Sequence, residues 1–244
     1  MSVQLLSLPC WPEQVMCGYT WRGESDADFN LALHVGDDPV RVERNRQQLQ
    51  AALPAPARLA WLQQVHGVAV ARADDESVPE ADALWTDEPG LACCVLTADC
   101  LPVLLCSADG SRVAAAHAGW RGLAAGVLEA SVAALGGDSC FAWLGPAIGA
   151  KAFEVGPEVR SAFVDAMHPA DTDATLRCFA PSIRDGHYFA DLHGLARLRL
   201  RHLGVEHISA VDACTYSQPA RFFSYRRDGQ TGRMASFILR RVVI

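Results

Sequence analysis

Hydrophobic residues fall mostly in short runs separated by turn residues. The clearest case is residues 91–106, LACCVLTADCLPVLLC, where two apolar runs rich in Val, Leu and Cys are interrupted at residues 97–100. Each run is too short for a typical helix, and its composition favours β structure. We therefore predict two buried strands joined by a polar turn.

In the next segments, the spacing of apolar residues alternates between that of strands and that of helices. Residues 112–117 predict a strand that ends at His117, and glycines at 119 and 122 mark a turn into a helix over residues 123–135, where apolar positions recur at helical spacing. A strand over residues 141–144 and a helix over residues 159–167, preceded by Pro157, follow. The order β-α-β-α predicts an α/β or α+β fold with helices flanking mixed sheets.

Further elements are predicted towards both ends of the chain. Asp191 is placed to cap a helix that runs to residue 203, and residues 206–211 favour a strand. Asp228 and Gly229 suggest a turn between an aromatic strand and a terminal strand, and residues 39–53 suggest a polar helix that starts with proline. No repeat or flexible linker interrupts the pattern, so we expect one domain over residues 1–244.

Composition narrows the class of protein. The chain has 244 residues, is 50% hydrophobic and carries a formal net charge of −7 with no cluster of basic residues. We therefore expect neither nucleic acid nor a membrane as a partner. The sequence lacks a leader-like start and a membrane-length apolar run, and its nine cysteines have no repeated spacing, so we expect a cytoplasmic protein with reduced thiols.

The residues best suited to chemistry lie at the edges of apolar segments. They are QVHG at 64–67, TADC at 97–100 and HAGWR at 117–121, and common signatures such as a P-loop, a dinucleotide fingerprint or HExxH are absent. Packing gives a buried strand no reason to end in His or Asp. These edges are therefore candidate site positions.

Three interpretations of His66, Cys100 and His117 remain open from the residues alone. Two imidazoles and one thiolate form a catalytic zinc set that leaves one position for water or substrate. Cys100 with His117 as its base also fits a metal-free cysteine hydrolase. A core cysteine with two hydrogen-bonded histidines, or a structural zinc or binding protein, needs no catalysis.

Several motifs in one order resemble the laccase-domain (YfiH-like) family along nearly the whole chain. They are HVGDDP at 34–39, QVHG at 64–67, LTADCLPVLL at 96–105, AAAHAGWRG at 114–122, GPAIG at 145–149, FEVGPEV at 153–159, CT at 214–215 and FFSYRRDGQTGRMA at 222–235. The resemblance implies a single zinc ion bound by His66, Cys100 and His117, which are then also the catalytic residues.

The same resemblance implies a function. Members are described as phosphorolysing adenosine, inosine, guanosine and methylthioadenosine, and as deaminating adenosine. Purine nucleosides and phosphate are thus the expected partners, and we expect a monomer, although the sequence does not determine oligomeric state. Other descriptions of the family leave polyphenol oxidation, with copper as the alternative metal, and editing of peptidoglycan precursors as alternatives.

Substrate contacts are expected from six polar residues in or beside the motifs. Arg121, at a predicted helix start, is placed to hold an anion together with free amides. The N-terminal part departs from the family pattern, because its usual Arg-x-Gly-Gly loop is here RGES at 22–25. The expected substrate-binding residues are Arg22, Asn30, Arg46, Gln64, Asp99 and Arg121.

Histidine placement argues against a multicopper cluster, which needs many imidazoles close together. Only His34, His66 and His117 fall in motif positions. The remaining histidines lie in polar or helical contexts where surface placement is expected. These are His168, His187, His193, His202 and His207.

Overall fold

The computed structural model describes residues 2–23, 29–74, 76–137 and 139–242. Its strands are β1 (Val3–Leu5), β2 (Val15–Thr20), β3 (Arg58–Ala60), β4 (Val70–Arg72), β5 (Ala83–Thr86), β6 (Leu91–Thr97), β7 (Leu101–Ser107), β8 (Val113–Ala118), β9 (Cys140–Leu144), β10 (Glu154–Val155), β11 (Phe179–Pro181), β12 (Tyr188–Ala190), β13 (His207–Ala210) and β14 (Met234–Arg240). Its helices are α1 (Pro39–Ala51), α2 (Trp120–Ala125), α3 (Val127–Ala134), α4 (Pro157–Ala166), α5 (Thr172–Arg177), α6 (Leu192–His202) and α7 (Tyr225–Asp228), with a 3₁₀ turn at Pro169–Asp171.

The strands form two large sheets and one small sheet. The five-stranded sheet has the order β1-β2-β14-β6-β3, the six-stranded sheet has the order β13-β9-β7-β8-β5-β4, and β10-β12-β11 form the third. Parallel pairs such as β3 with β6 occur beside antiparallel pairs such as β7 with β8. The predicted mixed α/β fold is confirmed.

The two large sheets pack face to face between layers of helix. Along β7, Leu101, Val103 and Leu105 belong to the core that also contains residues of α2, α3, α4 and α6, whereas Leu104 and Cys106 belong to the core shared with the five-stranded sheet. This alternation follows from the two-residue period of a strand that is buried on both faces. Helix α1 covers the outer face of the five-stranded sheet, where Leu49 packs with β6 and β14.

The break predicted between the two apolar runs of residues 91–106 is confirmed, because β6 ends at Thr97 and β7 begins at Leu101. Cys93 and Cys94 are fully buried in cores on opposite sides of β6, and burial raises the pKa of both thiols. Asp38 and Asp191 cap α1 and α6 by accepting from Val40 and Gly194 amides. Pattern and capping signals therefore located these elements well.

Two predicted elements are wrong. The helix expected over residues 123–135 is divided at Gly126, whose φ of 109° is a left-handed conformation that glycine adopts without strain. The aromatic strand before Asp228 is absent: Phe222 and Phe223 are buried in irregular chain, and Ser224 caps the short helix α7. Core burial of the two aromatic rings prevailed over their strand preference.

Two further points concern the N-terminal loop and the length of the helices. Glu24 and Ser25, part of the unusual N-terminal loop, lie outside the described residues. No helix within the described ranges has both the length and the apolar character needed to span a bilayer.

Candidate metal and substrate site

Strand register brings Cys100 and His117 together. In the antiparallel pair of β7 and β8, Leu101 lies opposite Ala118 and Pro102 lies opposite His117. Cys100 immediately precedes β7, so it sits beside the end of β8 that carries His117. His117 is only 3% exposed, which makes its imidazole a buried polar group that needs partners.

Asp82 is the partner that positions both histidines. Its Oδ1 lies 2.8 Å from His117 Nδ1, and its backbone oxygen accepts from the His117 amide at 2.7 Å. The same carboxylate accepts amide N–H groups of Val65, His66 and Gly67 at 3.2, 2.9 and 2.5 Å. Asp82, fully buried just before β5, therefore holds the His66 loop against the end of β8.

The loop conformation is costly for its residue types. Within the described chain, the non-glycine residues with positive φ are His66 at 61° and Asp99 at 93°. Such conformations cost about 1–3 kcal/mol each and concentrate at functional sites. Both residues adjoin the same cluster of side chains.

His66, Cys100 and His117 each present a ligand atom, and these atoms lie within 4.8 Å of one another. Gly119 leaves the space beside them: a Cβ there would lie 2.8 Å from His66 Nδ1 and 3.2 Å from Cys100 Sγ. Two imidazoles and one thiol are donors that Zn²⁺ accepts, with one position left for another ligand. The residues present thus fit a metal ion of this kind.

The pKa values of the two imidazoles, those of His117 and His66, are shifted in opposite directions. Burial alone lowers the pKa of His117, but the charges and hydrogen bonds of Cys100 and Asp82 outweigh it and raise that pKa to about 9. The pKa of exposed His66 is lowered, first by partial burial and then by His117, Arg121 and Arg233.

Two arginines lie near the triad of candidate ligand residues, and a third lies near His34. Arg121 and Arg233 both lower the pKa of His66, and Arg46 and Arg233 both lower the pKa of His34. We call Arg46, Arg121 and Arg233 the cationic arc. Among the described residues none of the three forms an ion pair with a carboxylate, and burial lowers the pKa of Arg46 and Arg233.

The members of this arc are held in different ways. Arg46 donates to the Leu31 carbonyl at 3.0 Å and lies 4.3 Å from the Trp61 ring centroid. Arg121 is exposed and lies 4.4 Å from the ring centroid of Trp120. Because α2 has only six residues, the expected helix-dipole contribution at Arg121 is small, and its position beside His66 is the stronger argument.

Two predicted substrate residues lie close to the candidate ligands in sequence, and their side chains already have hydrogen-bond partners within the protein. Gln64 makes a paired amide contact with Leu96, donating at 2.8 Å and accepting at 2.7 Å. Asp99 accepts from Thr215 Oγ1 at 2.6 Å and from the Arg226 amide at 2.7 Å. These contacts secure the ends of β6 and β7, and direct substrate contact by either residue stays a prediction.

Arg22 and Asn30 lie with the C-terminal segment. Arg22 donates to the Pro219 carbonyl at 3.2 Å and lies 5.2 Å from the Phe223 ring centroid. Asn30 is buried, and its side-chain oxygen accepts from the Ala32 and Arg233 amides. Asn30 therefore positions the segment that carries Arg233, and its own contact with substrate stays a prediction.

Sequence reasoning did not select Asp82, Gly119 or Arg233. Gly119 and Arg233 lay within recognised motifs, so their motif positions were an available signal. Asp82 stands alone between Ala81 and Ala83. A single carboxylate at the start of an apolar strand was the only signal for it.

Comparison with known proteins agrees with this geometry. The family model described as "Multi-copper polyphenol oxidoreductase laccase" matches residues 19–241. The chain belongs to this family, which confirms the resemblance seen in the motifs.

Similar proteins cover the same length. "Purine nucleoside phosphorylase PA4543" of Pseudomonas aeruginosa is 52% identical, covering 94% of this chain and 96% of its own. "Purine nucleoside phosphorylase YfiH" of Escherichia coli is 48% identical, covering 96% and 98%. A crystal structure of a Neisseria meningitidis protein is 42% identical and superposes with a TM-score of 0.89 over 99% of this chain and 100% of its own.

Proposed function

We propose that this protein is a cytoplasmic, zinc-dependent purine nucleoside phosphorylase that acts on adenosine, inosine, guanosine and methylthioadenosine and also deaminates adenosine. The observation that carries the proposal is the position of the ligand triad beside arginines that have no carboxylate partner among the described residues. Two similar proteins that share about half of the sequence carry the name purine nucleoside phosphorylase.

Zinc is the metal best matched to the donors. His66, Cys100 and His117 would hold it, and Asp82 fixes the orientation of the His117 ring through Nδ1. When bound, the ion would supply Lewis acidity at one open coordination position. Because residue 119 has no Cβ, the space beside His66 Nδ1 and Cys100 Sγ is free of a side chain from that position.

Phosphorolysis needs an anion site next to a loosening glycosidic bond. A phosphate oxygen bonds to C1′ of the ribose as the bond from C1′ to the purine nitrogen breaks. The base leaves with the electron pair and gains a proton, and ribose 1-phosphate is the second product. The cationic arc supplies charge-assisted donors for phosphate and stabilises negative charge near the sugar.

A multicopper oxidase reaction, which the family description names, would use a different donor set. Such enzymes need several copper ions and a large number of histidines in one place. The triad contributes two imidazoles and a thiol. We therefore favour phosphorolysis, and deamination of adenosine by water would use the same triad.

The decisive experiment is incubation with adenosine, inosine or guanosine, with and without phosphate, followed by chromatography of base, nucleoside and sugar phosphate. We expect base and ribose 1-phosphate only when phosphate is present, and inosine from adenosine in both conditions. Metal should be quantified on the same preparation.

Chelation followed by repletion with zinc distinguishes the alternatives. Loss and recovery of base release support the zinc enzyme. Activity that survives complete metal removal but is lost on alkylation of Cys100 would instead indicate the cysteine hydrolase, and absence of phosphate-dependent base release would refute phosphorolysis.

A further inference from the structure

A second group of ligand residues lies in the helical layer over the six-stranded sheet. His168 follows α4 and caps the 3₁₀ turn Pro169–Asp171, and His202 is the last residue of α6. His168, Asp171 and His202 each present a ligand atom, and these atoms lie within 4.8 Å of one another. None of the three belongs to the triad described above.

The spacing suits a metal ion better than a hydrogen bond. His202 Nδ1 lies 3.3 Å from Asp171 Oδ2, beyond the usual N–H···O range. Tetrahedral bonds of about 2.0–2.1 Å place neighbouring ligand atoms about 3.3–3.4 Å apart. The ring centroids of His168 and His202 are 4.8 Å apart, so both rings border the same space.

That space is a cleft with incompletely satisfied polar groups at its base. The cleft has a volume of about 290 Å³ and is lined by the three ligand residues together with Glu129, Ala166, Met167 and Arg199. Arg199 is only 5% exposed, and its Nε and the Oε2 of Glu129 are buried without a hydrogen-bond partner among the described residues. Buried polar atoms of this kind require water or a ligand.

A hydrated dication would satisfy the acceptor. Its charge complements Asp171, and a water molecule bound to it can donate a hydrogen to Glu129 Oε2. Arg199 and Glu129 already form an ion pair, so the arginine charge is largely balanced at the cleft. His168 must release its 3.2 Å hydrogen bond from the Ala170 amide if it binds through Nδ1.

We infer that His168, Asp171 and His202 form a second site for a divalent transition-metal ion of the zinc type. Two imidazoles and a carboxylate are donors that zinc accepts. His168 caps the 3₁₀ turn that contains Asp171, whereas His202 belongs to α6. Binding joins the end of α6 to the turn after α4. This inference does not depend on the proposed function.

Cobalt and zinc titrations of metal-depleted protein test it. We expect two equivalents of Co²⁺, of which only the one at Cys100 gives a thiolate charge-transfer band. The variant His168→Ala/His202→Ala should bind one equivalent fewer and keep that band. Zinc added after the first equivalent should raise the melting temperature of the unsubstituted protein but not of this variant.

His207→Ala is the matched control, because His207 is also exposed and stacks on Phe141 outside both ligand groups. It should bind as many ions as the unsubstituted protein. His168 and His202 are exposed, so the double variant is expected to fold, which its circular dichroism will verify. Equal metal stoichiometry in the unsubstituted protein and the double variant would overturn the inference.

Discussion

Asp82 Oδ1 lies 2.8 Å from His117 Nδ1, and the carboxylate that orients this ring also accepts three amide hydrogens of the His66 loop. One buried side chain therefore positions two of the three candidate ligands. Asp82 is for this reason a positioning residue, and its effect should be visible in metal binding as well as in stability.

We predict that Asp82→Asn lowers zinc affinity about 10- to 100-fold, the usual effect of losing a partner that orients a ligand. Unsatisfied amides should also reduce the free energy of unfolding by about 1–3 kcal/mol. Zinc titration and urea unfolding measure the two effects. Asp87→Asn is the control, since its ion pair with Arg72 is largely exposed and should contribute little to either quantity. Unchanged zinc affinity in Asp82→Asn would contradict the positioning role.

Gly119→Ala should prevent metal binding while leaving the metal-free fold nearly unchanged. The new Cβ would stand 2.8 Å from His66 Nδ1, in the space that the ion needs. The backbone at Gly119, with φ of −58° and ψ of 154°, suits alanine. Melting curves in chelator provide the comparison, with and without Gly119→Ala in the His168→Ala/His202→Ala background, and zinc should raise the melting temperature only where Gly119 is retained. An equal rise in both proteins would show that Gly119 does not border the ion.

Cys100→Ser and His117→Ala should each bind one equivalent of zinc fewer and lose both proposed activities while the fold survives. The ligands lie at strand ends, outside the three hydrophobic cores that hold the sheets together. Metal analysis, activity assays and near-ultraviolet circular dichroism measure these outcomes. Cys178→Ser is the control, because Cys178 is also half-buried but packs against the helical core. Near-normal zinc content in either ligand variant would mean that the ligand set is wrong.

Arg121→Ala should impair the use of phosphate selectively. Loss of charge-assisted hydrogen bonds worth about 1.5–3 kcal/mol predicts an apparent phosphate affinity roughly 10- to 100-fold lower. Deamination consumes water rather than phosphate, so it should decline less, and zinc content should stay constant. Phosphate KM and deamination rate are measured on one preparation.

Arg112→Ala is a matched control for that experiment. Arg112 also lies over a tryptophan, with its guanidinium 5.3 Å from the Trp85 ring centroid, but it is not part of the cationic arc. It should leave phosphate KM unchanged. If Arg121→Ala reduces both activities equally, Arg121 has a shared positioning role, and if it reduces neither, Arg121 is a solvated surface residue.

The sequence predicted those structural elements that depend on interactions between neighbouring residues. The strands on either side of residues 97–100 and the cap Asp191 were predicted from periodicity and capping, which involve neighbouring residues. The motifs identified the family and selected three candidate ligand residues, which the fold brings together.

The features that the sequence did not predict depend on contacts between distant parts of the chain. Asp82 matters because β5 pairs with β8 and places it beside His117, a relationship set by register rather than by neighbouring sequence. Arg233 reaches the site only because the segment before β14 is anchored to Asn30, about 200 residues away along the chain. Phe222 and Phe223 were misassigned because burial in the core outweighed local propensity.

The position of β14 has a consequence for how the molecule is made. This strand lies in the middle of its sheet, between β2 and β6, yet it leaves the ribosome after the other thirteen strands that the structure describes. Before β14 is in place, β2 and β6 each expose an edge with unpaired backbone donors and acceptors. Exposed edges of this kind can pair with other chains. Arg233 adjoins β14, so the cationic arc closes in the same late step. A nascent chain therefore closes this sheet and positions Arg233 in the same step.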